Sequence, residues 1–471
     1  MNVLNSETQP RIRALLTQQQ SDEPIDLGQE RASFTVDNAT YTAEARIRLR
    51  FAPTERLEIA FPFNNPLQLT QVWSQLVDPQ TITLTLPNLG TKLSVFPVEI
   101  PAQPDVIVFM PDRSPVRVTD STSNIISATF HLLNLPNFKG PCDYWLQTDA
   151  ASNSFVRQGF VTLTAGHWKI SIAALPTVHA ATEHLKTYGG HILTHVGTIE
   201  RIDRVAFTEQ ELENMLNCVQ YFLSFALGRW AGVGLTVGFD DRAHPVFREW
   251  GIRRVAEGGR LAGSWFDIHH SELLPQVFPG FLSLWSNPTW QKPLRDVIYW
   301  FCTASNHRTG VGIDTGLILA QTALELLAWN HCVINKQLYT PAQFGSGHRN
   351  RRQQSLSAEA KIKELLNDLS IPVASYALAP RGQNVNVSIT DTVQLIVKSR
   401  NALIHPDKRS FSPQTQDLID AWNHGLWFIQ MVLLKLCGHN GKYSNRLSQR
   451  NVGQVEPVPW APAHPGATPA P

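Results

Sequence analysis

The hydrophobic period of the chain changes once, and this change limits the possible folds more than any other sequence feature. Between residues 44 and 51, apolar side chains alternate strictly with charged ones: Ala45, Ile47, Leu49 and Phe51 follow Glu44, Arg46, Arg48 and Arg50. Alternation with a period of two is typical of a β-strand with one buried and one solvated face. From about residue 208, apolar residues recur instead every three or four positions, which indicates helices. The sequence therefore predicts a multidomain α+β protein in which a β-rich part precedes a helical part.

Other segments of the first half repeat the strand pattern, and turn-forming residues separate them. These segments are residues 81–86, 105–110, 125–132, 160–164 and 168–172. Ala165-Gly166-His167 joins the last two, which predicts a tight hairpin. Because alternating strands have one polar face, they favour antiparallel sheets. We therefore expect an antiparallel sandwich or barrel-like domain over residues 25–205, preceded by a flexible N-terminus over residues 1–24.

The first helical signal is a capping box formed by Thr208 and Glu211. In such a box, each side chain accepts a hydrogen bond from the backbone N–H of the other residue, which fixes the start of a helix. The residues after this helix are punctuated by Trp, Gly and Pro without a clear period. We therefore predict a helix plus an irregular connector over residues 206–290.

Helical spacing dominates residues 291–445, where several amphipathic segments are joined by short or polar links. This pattern predicts an all-α bundle. Asp314 or Thr315 is expected to cap one of its helices, and Ser412 is expected to cap the last one. Residues 446–471 are rich in proline, which predicts a disordered tail.

Cysteine and histidine spacing bears on metal sites and disulfides. The five cysteines are scattered, odd in number and free of any C-x-x-C pair, so neither a disulfide framework nor a zinc site is indicated. His191 and His195 are expected to alternate onto one face of a strand, but no third ligand has a suitable spacing. We expect buried free thiols, no metal and no other cofactor.

Hydropathy and charge limit the location and the partners of the chain. The first twenty residues are polar and lack the apolar core of a signal peptide. The most apolar helical segment, residues 317–329, contains Gln321 and Glu325 and is too short to span a bilayer. These observations predict a cytoplasmic protein without a membrane partner. Residues 301–471 contain sixteen Lys and Arg against ten Asp and Glu, which is compatible with a polyanion partner and equally with attraction between domains.

The segment 398–406 combines three polar side chains with a helix end. Apolar residues at helical spacing precede it, and Pro406 ends the helix because a residue before proline is pushed out of the α region. Arg400, Asn401 and His405 therefore surround one helix terminus. An arginine binds phosphate through its planar fork and a histidine transfers protons near neutral pH, so the trio suits work on a phosphodiester. The alternative is structural, with an arginine in an interhelical salt bridge and a histidine that caps a carbonyl group.

The spacing of Arg400 and His405, with four residues between them, resembles the R-x4–6-H motif of the HEPN superfamily. Together with the order of the predicted domains, it makes the chain similar to ApeA-like HEPN proteins. In that family, a β-rich domain precedes a HEPN helical bundle. The resemblance covers about residues 290–440 for the bundle and, more loosely, residues 25–230. It implies that residues 291–445 form a HEPN-like bundle.

The resemblance nominates two further site residues. The family has an acidic residue on an earlier helix, in a segment that reads Leu-Glu-x-Leu, and Glu325 occupies this place. Asn401 matches the polar residue beside the family's arginine. Family members include bacterial ribonucleases of anti-phage abortive defence, and HEPN domains usually pair. The resemblance therefore implies a homodimer with a composite site, and we expect a phage-derived trigger.

The activity implied by the resemblance is metal-independent cleavage of RNA, for example tRNA. The ribose 2′-OH attacks the adjacent phosphorus and leaves a cyclic phosphate and a 5′-OH. Arg400 would stabilise the developing charge and His405 would move the proton. Asn401 would hold the phosphate or orient His405, and Glu325 would orient Arg400 or His405. Because the nucleophile is a 2′-OH, such an enzyme selects RNA over DNA.

Basic side chains near the motif are candidate RNA contacts: Arg349, Arg351, Arg352, Lys398 and Lys408. The run of three arginines has a second interpretation as a solvated loop. In the leading hypothesis, the β-rich domain senses a trigger or restrains the nuclease. One rival is a HEPN scaffold without catalysis that binds RNA or a partner. Another is a β domain that binds a ligand, such as a carbohydrate, with a bundle that only dimerises it.

Overall fold

The computed structural model describes residues 12–76, 82–99, 105–119, 124–139, 145–148, 154–157, 159–259, 263–305, 311–345, 356–378, 389–405, 411–448 and 451–462, to which all statements on structure refer. The chain forms two compact units. We call Met1–Gln220 with Ala231–Arg260 the β unit, and Tyr221–Trp230 with Leu261–Pro471 the helical unit. The predicted α+β class, with a β-rich part followed by a helical part, is confirmed.

The β unit contains the described strands β1 to β15 and the start of its last helix. The strands are β1 (Ile25–Val36), β2 (Ala39–Arg50), β3 (Arg56–Pro62), β4 (Ile82–Leu86), β5 (Thr91–Glu99), β6 (Val106–Pro111), β7 (Val116–Thr119), β8 (Ser127–Leu133), β9 (Trp145–Thr148), β10 (Ser154–Arg157), β11 (Phe160–Ala165), β12 (Trp168–Ala174), β13 (Leu193–Arg201), β14 (Gly232–Phe239) and β15 (Pro245–Ile252). The helices are α1 (Pro66–Leu76), α2 (Val178–Tyr188) and α3 (Glu209–Leu227).

Six of these strands form a closed barrel in the order β1-β2-β3-β6-β5-β4. The alternation that predicts β2 is confirmed, because Ala45, Ile47 and Leu49 are fully buried while Arg46 is exposed. Closure depends on the pairing of β1 with β4, where Ser33 lies opposite Thr85. Of the two predicted architectures, this part of the chain adopts the barrel.

Seven further strands form an antiparallel sheet in the order β11-β12-β13-β8-β14-β15-β7. The predicted hairpin is confirmed, because Ala165 pairs with Trp168 across a two-residue turn. The strands β14 and β15 replace part of the irregular connector expected over residues 206–290. Most residues of β14 are buried on both faces, so the strand lacks the alternation by which the other strands are recognised.

The N-terminal segment of residues 12–24 packs against the sheet, in contrast to the flexible N-terminus expected over residues 1–24. The Gln18 side chain donates to the carbonyls of Glu23 and His191 at 2.8 and 3.1 Å and accepts from the backbone N–H of Leu193 at 2.8 Å. Further along the chain, the backbone N–H of Asp22 donates to the His191 carbonyl. These hydrogen bonds satisfy polar groups of a segment that has no regular secondary structure. The polar composition of this segment therefore did not make it flexible.

The helical unit contains the end of α3 and the described helices that follow it. They are α4 (Leu273–Ser286), α5 (Pro288–Ser305), α6 (Ile313–Trp329), α7 (Pro341–Phe344), α8 (Ala358–Asp368), α9 (Thr392–Ile404) and α10 (Thr415–Leu436), and a π-helical turn, Asn330–Asn335, extends α6. A helical C-terminal part is confirmed, and the HEPN identity of its bundle stays a prediction.

The helix caps agree with the sequence in one case and differ in two. In the predicted capping box, the backbone N–H of Glu211 donates to Thr208 Oγ1 at 3.2 Å, and the reciprocal bond measures 2.8 Å. The N-cap of α6 is Gly312, without a side-chain bond, and that of α10 is Gln414. The caps expected at Asp314 or Thr315 and at Ser412 are therefore wrong: α6 starts two or three residues earlier and α10 two residues later than the sequence predicts.

The C-terminal segment of residues 451–462 folds back onto the helical unit, which differs from the disordered tail expected over residues 446–471. It contains the short strand β17 (Glu456–Pro457), which pairs with β16 (Lys442–Tyr443). The Trp460 indole donates to the His439 carbonyl at 2.8 Å and lies beneath the Lys435 ammonium at 5.1 Å. These contacts of a half-buried Trp460, together with the buried Val458, hold this segment despite its proline content. Residues 463–471 lie outside the described part.

One described helix, Ile313–Asn335, is long and apolar enough to span a membrane, as judged by length and hydropathy alone. It is 23 residues long because the π-helical turn continues α6, so the segment is longer than the sequence predicts. However, 61% of its apolar window is buried inside the protein, as in the core helix of a soluble domain. It is weak evidence for a membrane span.

Candidate functional site

The motif lies at the C-terminal end of α9, whose apolar stripe is buried in the helical unit. At the start of this helix, the Asp391 carboxylate accepts a hydrogen bond from the backbone N–H of Gln394 at 2.9 Å. The helix ends at Ile404, and His405 follows as its C-cap with a ψ angle of 73°, outside the helical region. The helix end predicted from Pro406 is therefore confirmed.

Arg400 is half-buried and bonded to its neighbour in the motif. Its Nη1 donates to Oδ1 of Asn401 at 3.1 Å. Its Nε is buried without a hydrogen-bond partner, and the guanidinium forms no ion pair with any described residue. The interhelical salt bridge considered as an alternative is thus not observed in the described part. An unbonded buried donor costs roughly 1–3 kcal/mol, and no described carboxylate neutralises the charge of this guanidinium.

His405 is exposed, and its imidazole makes no hydrogen bond or ion pair with a described residue. Only its backbone is fixed, because its N–H donates to the Asn401 carbonyl at 2.9 Å. The alternative in which the ring caps a carbonyl group is not observed among these residues. Both ring nitrogens are open to a ligand from solvent.

Glu325 is half-buried on α6, and its closest polar partner lies one turn earlier on the same helix. Its Oε1 accepts a hydrogen bond from Nε2 of Gln321 at 2.8 Å. No ion pair within 4 Å joins Glu325 to Arg400 in the described residues. The structure therefore orients this carboxylate through Gln321, and its second oxygen has no hydrogen-bond partner in the described part.

The helices that carry the site meet at a glycine of α10. A Cβ atom on Gly425 would lie 3.1 Å from Cβ of Ala320 on α6 and 4.0 Å from Cδ1 of Ile396 on α9. Glu325 and Arg400 follow Ala320 and Ile396 by five and four residues, or roughly 6–8 Å of helix rise. Both side chains thus originate little more than one turn from a point where three helices touch.

Of the five candidate RNA contacts, the described part of the chain contains one. Lys398 is half-buried on α9, two residues before Arg400. Arg349, Arg351, Arg352 and Lys408 lie outside the described residues, so the predicted basic path toward the motif stays a prediction.

This arrangement places four kinds of side chain at the end of one helix and on its neighbour. The guanidinium of Arg400 and the carboxamide of Asn401 offer donors to a phosphate. The exposed imidazole of His405 can take or give a proton. The Glu325 carboxylate can orient a cationic partner. Together these groups can bind a phosphodiester and assist proton transfer.

A second polar cluster of the helical unit is less suited to catalysis. At the π-helical turn, Nε2 of His331 lies 2.6 Å from Oδ2 of Asp368, but the imidazole side chain is only 2% exposed. The neighbouring Cys332 is also buried, and burial together with the charges of Asp368 and Glu364 raises its pKa to about 12. The thiol stays protonated and the imidazole is out of reach of a substrate, so we interpret this cluster as structural.

The two histidines considered for a metal site differ from expectation. His191 precedes β13 and pairs with Asp22 at 3.0 Å, whereas His195 lies inside the strand after a bulge, so they do not share a strand face. Burial lowers the pKa of His195 to about 3, which keeps the ring neutral. The described residues contain no group of three or more possible metal ligands. The four described cysteines are free and buried, as predicted.

The sequence reasoning missed three buried polar residues on α6, α9 and α10. Ser399 and Gln430 are fully buried on α9 and α10, and their side-chain polar atoms have no partner in the described part. Gln321 on α6 is 1% exposed. One signal was available for Gln321, because it stands four residues before Glu325, a spacing at which helical side chains meet.

Comparison with known proteins gives similarity in two regions of the chain. Residues 120–258 match the YopA central domain, and residues 287–456 match the YopA C-terminal domain. The SPbeta prophage-derived uncharacterized protein YopA of Bacillus subtilis (strain 168) is 25% identical over 279 residues, which are 59% of this chain and 60% of that protein. The match thus spans less than two thirds of the relative. No solved structure matches. The two matched domains thus contain the seven-stranded sheet except β7, and the helices α5 to α10, while the barrel lies outside both.

Proposed function

We propose that this chain is a metal-independent endoribonuclease that uses Arg400, Asn401 and His405 at the end of α9. The observation that carries this proposal is the pairing of an unsatisfied guanidinium with a free, exposed imidazole at one helix terminus. A structural role would bond both groups to the protein, as the His331–Asp368 pair is bonded. The resemblance adds Glu325, which is held by Gln321, as a residue that would orient Arg400 or His405.

The proposed reaction is an internal transesterification. His405 removes the proton of a ribose 2′-OH, the 2′ oxygen forms a bond to the adjacent phosphorus, and the bond from phosphorus to the 5′ oxygen breaks. The leaving oxygen takes a proton from solvent, and the products are a 2′,3′-cyclic phosphate and a 5′-OH. Arg400 stabilises the negative charge of the phosphorane, with its planar fork held by Asn401.

The biological setting belongs to the same proposal. We infer a cytoplasmic homodimer with two motifs in a composite site, which acts against phage when a trigger reaches the β unit. The support is the ApeA-like resemblance of the chain, together with a relative that is by its name prophage-derived.

The test is cleavage of tRNA and total cellular RNA in excess EDTA by purified full-length protein. The variants are Arg400→Ala, Arg400→Lys and His405→Ala, with His424→Ala as a matched histidine control elsewhere in the helical unit. We expect both alanine variants to lose at least about 100-fold in rate, within the range for a lost acid–base or charge-stabilising group. Arg400→Lys should also be impaired, because an ammonium lacks the fork.

The products distinguish the hypotheses. Cyclic-phosphate ends made by the wild type and by the His424 control, but not by the alanine variants, would support the proposal. Cleavage that persists in Arg400→Ala and His405→Ala would contradict it. RNA binding without cleavage, also after addition of phage-infected lysate, would favour the alternative of a non-catalytic RNA-binding module, since no described side chain orients His405 within one copy.

A further inference from the structure

Four side chains of the helical unit form a connected cluster that the proposed catalytic site does not use. Tyr221 of α3 and Trp230 meet edge to face, with ring centroids 5.4 Å apart. Trp230 lies 6.1 Å from the ring of Tyr299 on α5. On the other side of this series, the guanidinium of Arg295, one turn before Tyr299 on α5, lies 5.7 Å from the Tyr221 ring centroid. We call these four residues the aromatic platform.

The platform faces solvent. Tyr299 is 40% exposed and Arg295 is exposed, while Tyr221 and Trp230 are half-buried. Three large aromatic rings and a cation that share one accessible surface are unusual for a part of the molecule that serves packing alone. Their exposure therefore indicates a ligand-binding surface rather than part of the hydrophobic core.

Arg295 is a free cation in the described structure. Its neighbour Asp296 bonds Lys292 at 2.7 Å, and Arg295 itself forms no hydrogen bond or ion pair with a described residue. Its contact is the face of Tyr221. A guanidinium that lies over an aromatic ring and has no acid partner retains its N–H donors for an anion.

Buried aromatic residues support the platform from below. Trp285 of α4 is 1% exposed and lies 5.3 Å from the Tyr221 ring. Phe281, fully buried, stacks on Trp285 with an interplanar angle of 18°. The Tyr221 ring at the centre of the platform thus packs on a buried layer, so little side-chain entropy of Tyr221 is lost when a flat ligand binds.

We propose that the aromatic platform binds unpaired bases of single-stranded RNA and thereby selects single-stranded over duplex substrate. The bases stack on Tyr299 and Trp230, and Arg295 contacts a flanking phosphate. Stacking on aromatic rings beside an unpaired arginine is the recurring chemistry of single-strand recognition, and paired bases cannot present their faces to it. This inference rests on the proposed action on RNA.

The charge of the platform excludes other ligands of aromatic clusters. A quaternary ammonium or methylated lysine prefers a cage of rings alone, and the Arg295 guanidinium would repel it. A planar group that carries negative charge nearby satisfies both the rings and the cation. A nucleotide is such a ligand.

The experiment measures binding of full-length protein to fluorescein-labelled 2′-O-methyl RNA, which lacks the 2′-OH nucleophile and so cannot be cleaved. Fluorescence anisotropy gives Kd for a single strand, a hairpin duplex and an abasic strand of equal length. The variants are Tyr299→Ala, Arg295→Ala and Tyr299→Phe. Lys292→Ala is the matched control, because it removes a positive charge from the same helix without touching the rings. Circular dichroism confirms that each variant is folded.

We expect Tyr299→Ala and Arg295→Ala to raise the Kd for the single strand about tenfold, within the range for loss of one base–aromatic stack. Tyr299→Phe should stay near wild type because it keeps the ring, and Lys292→Ala should change Kd less than about threefold. The abasic strand and the duplex should bind more weakly and respond little to Tyr299→Ala.

Equal binding of the abasic and the normal strand, or an unchanged Kd for Tyr299→Ala, would overturn the inference. So would a wild type that binds no single-stranded RNA. Failure of the ribonuclease proposal is seen separately, as cleavage that survives Arg400→Ala and His405→Ala. Conversely, loss of cleavage in those variants with normal binding by Tyr299→Ala would reject the platform and leave the catalytic residues in place.

Discussion

The imidazole of His131 on β8 holds the N-terminal segment to the sheet, and its loss should change both stability and pH dependence. The ring is buried, with its Nδ1 3.0 Å from the Leu235 carbonyl, to which it donates. Its Nε2 accepts from the backbone N–H groups of Leu15 and Leu16, each at 3.2 Å. This pattern needs the neutral ring, because a protonated Nε2 cannot accept a hydrogen bond.

The magnitude follows from the two protonation states. Burial lowers the pKa of His131 from 6.5 to about 4, while the bond to the Leu235 carbonyl opposes this shift. The unfolded chain therefore binds more protons than the folded one between these values, so stability is complete above pH 6.5 and is lost as pH falls. At pH 5, the expected loss from His131 is about 2 kcal/mol. His131→Phe keeps a ring of similar size but leaves three backbone groups unbonded, which costs roughly 3 kcal/mol at pH 7.5.

The assay is urea unfolding of wild type, His131→Phe and the exposed-site control His179→Phe at pH 7.5, 6.5, 5.5 and 5.0. We expect His131→Phe to be less stable at pH 7.5, but to lose about 2 kcal/mol less than wild type between pH 7.5 and 5. The control should follow wild type, and the contribution of His195 is common to all three proteins. Trypsin provides a second measurement at pH 7.5, since the variant should be cut faster after the exposed Arg13.

Two results would refute this reasoning. An identical pH dependence for His131→Phe and wild type would mean that the buried ring does not titrate as described. Unchanged cleavage after Arg13 in the variant would mean that His131 does not hold the N-terminal segment.

Two further predictions concern the helical unit. A Cβ on Gly280 of α4 would lie 1.8 Å from the Cys437 carbonyl oxygen, so Gly280→Ala should destabilise the protein by about 1–3 kcal/mol and lower its Tm. The control Gly312→Ala, whose Cβ would meet no atom within 4 Å, should change Tm much less. Equal Tm values for the two variants would contradict the close packing at Gly280. Burial opposes the charge of His270, but its bonds to Glu272 and to the Gly453 carbonyl outweigh this effect and raise its pKa. The stabilisation from these bonds is therefore complete below pH 6.5 and is lost as pH rises through the raised pKa. Hydrogen exchange of residues 451–458 should accelerate more above that pH in wild type than in His270→Gln. Parallel pH profiles for the two proteins would refute this contribution of His270.

The fold could be predicted from the sequence for those strands and helices that bury only one of their faces. The alternation in β2 and the capping box of Thr208 and Glu211 are local patterns, and both are confirmed. The strand β14 was missed because burial on both faces removes the alternation. Closure of the barrel was not predictable, since the pairing of Ser33 with Thr85 joins segments about fifty residues apart.

The candidate site divides in the same way. The position of His405 at a helix end follows from Pro406, because the steric effect of proline acts on the preceding residue. The bond between Gln321 and Glu325 follows from helical spacing once α6 is known. In contrast, the unpaired state of the Arg400 guanidinium depends on what the neighbouring helices present to it, and no local pattern contains that information.

By itself, the sequence determined the two kinds of architecture, the start of α3 and the end of α9, because backbone preference and hydrophobic period act over a few residues. Only the tertiary structure decided that residues 12–24 pack on a sheet, and that Tyr221, Trp230, Arg295 and Tyr299 share one surface. The physical reason is range: side chains nearly eighty residues apart become neighbours only when burial of apolar surface brings their helices together.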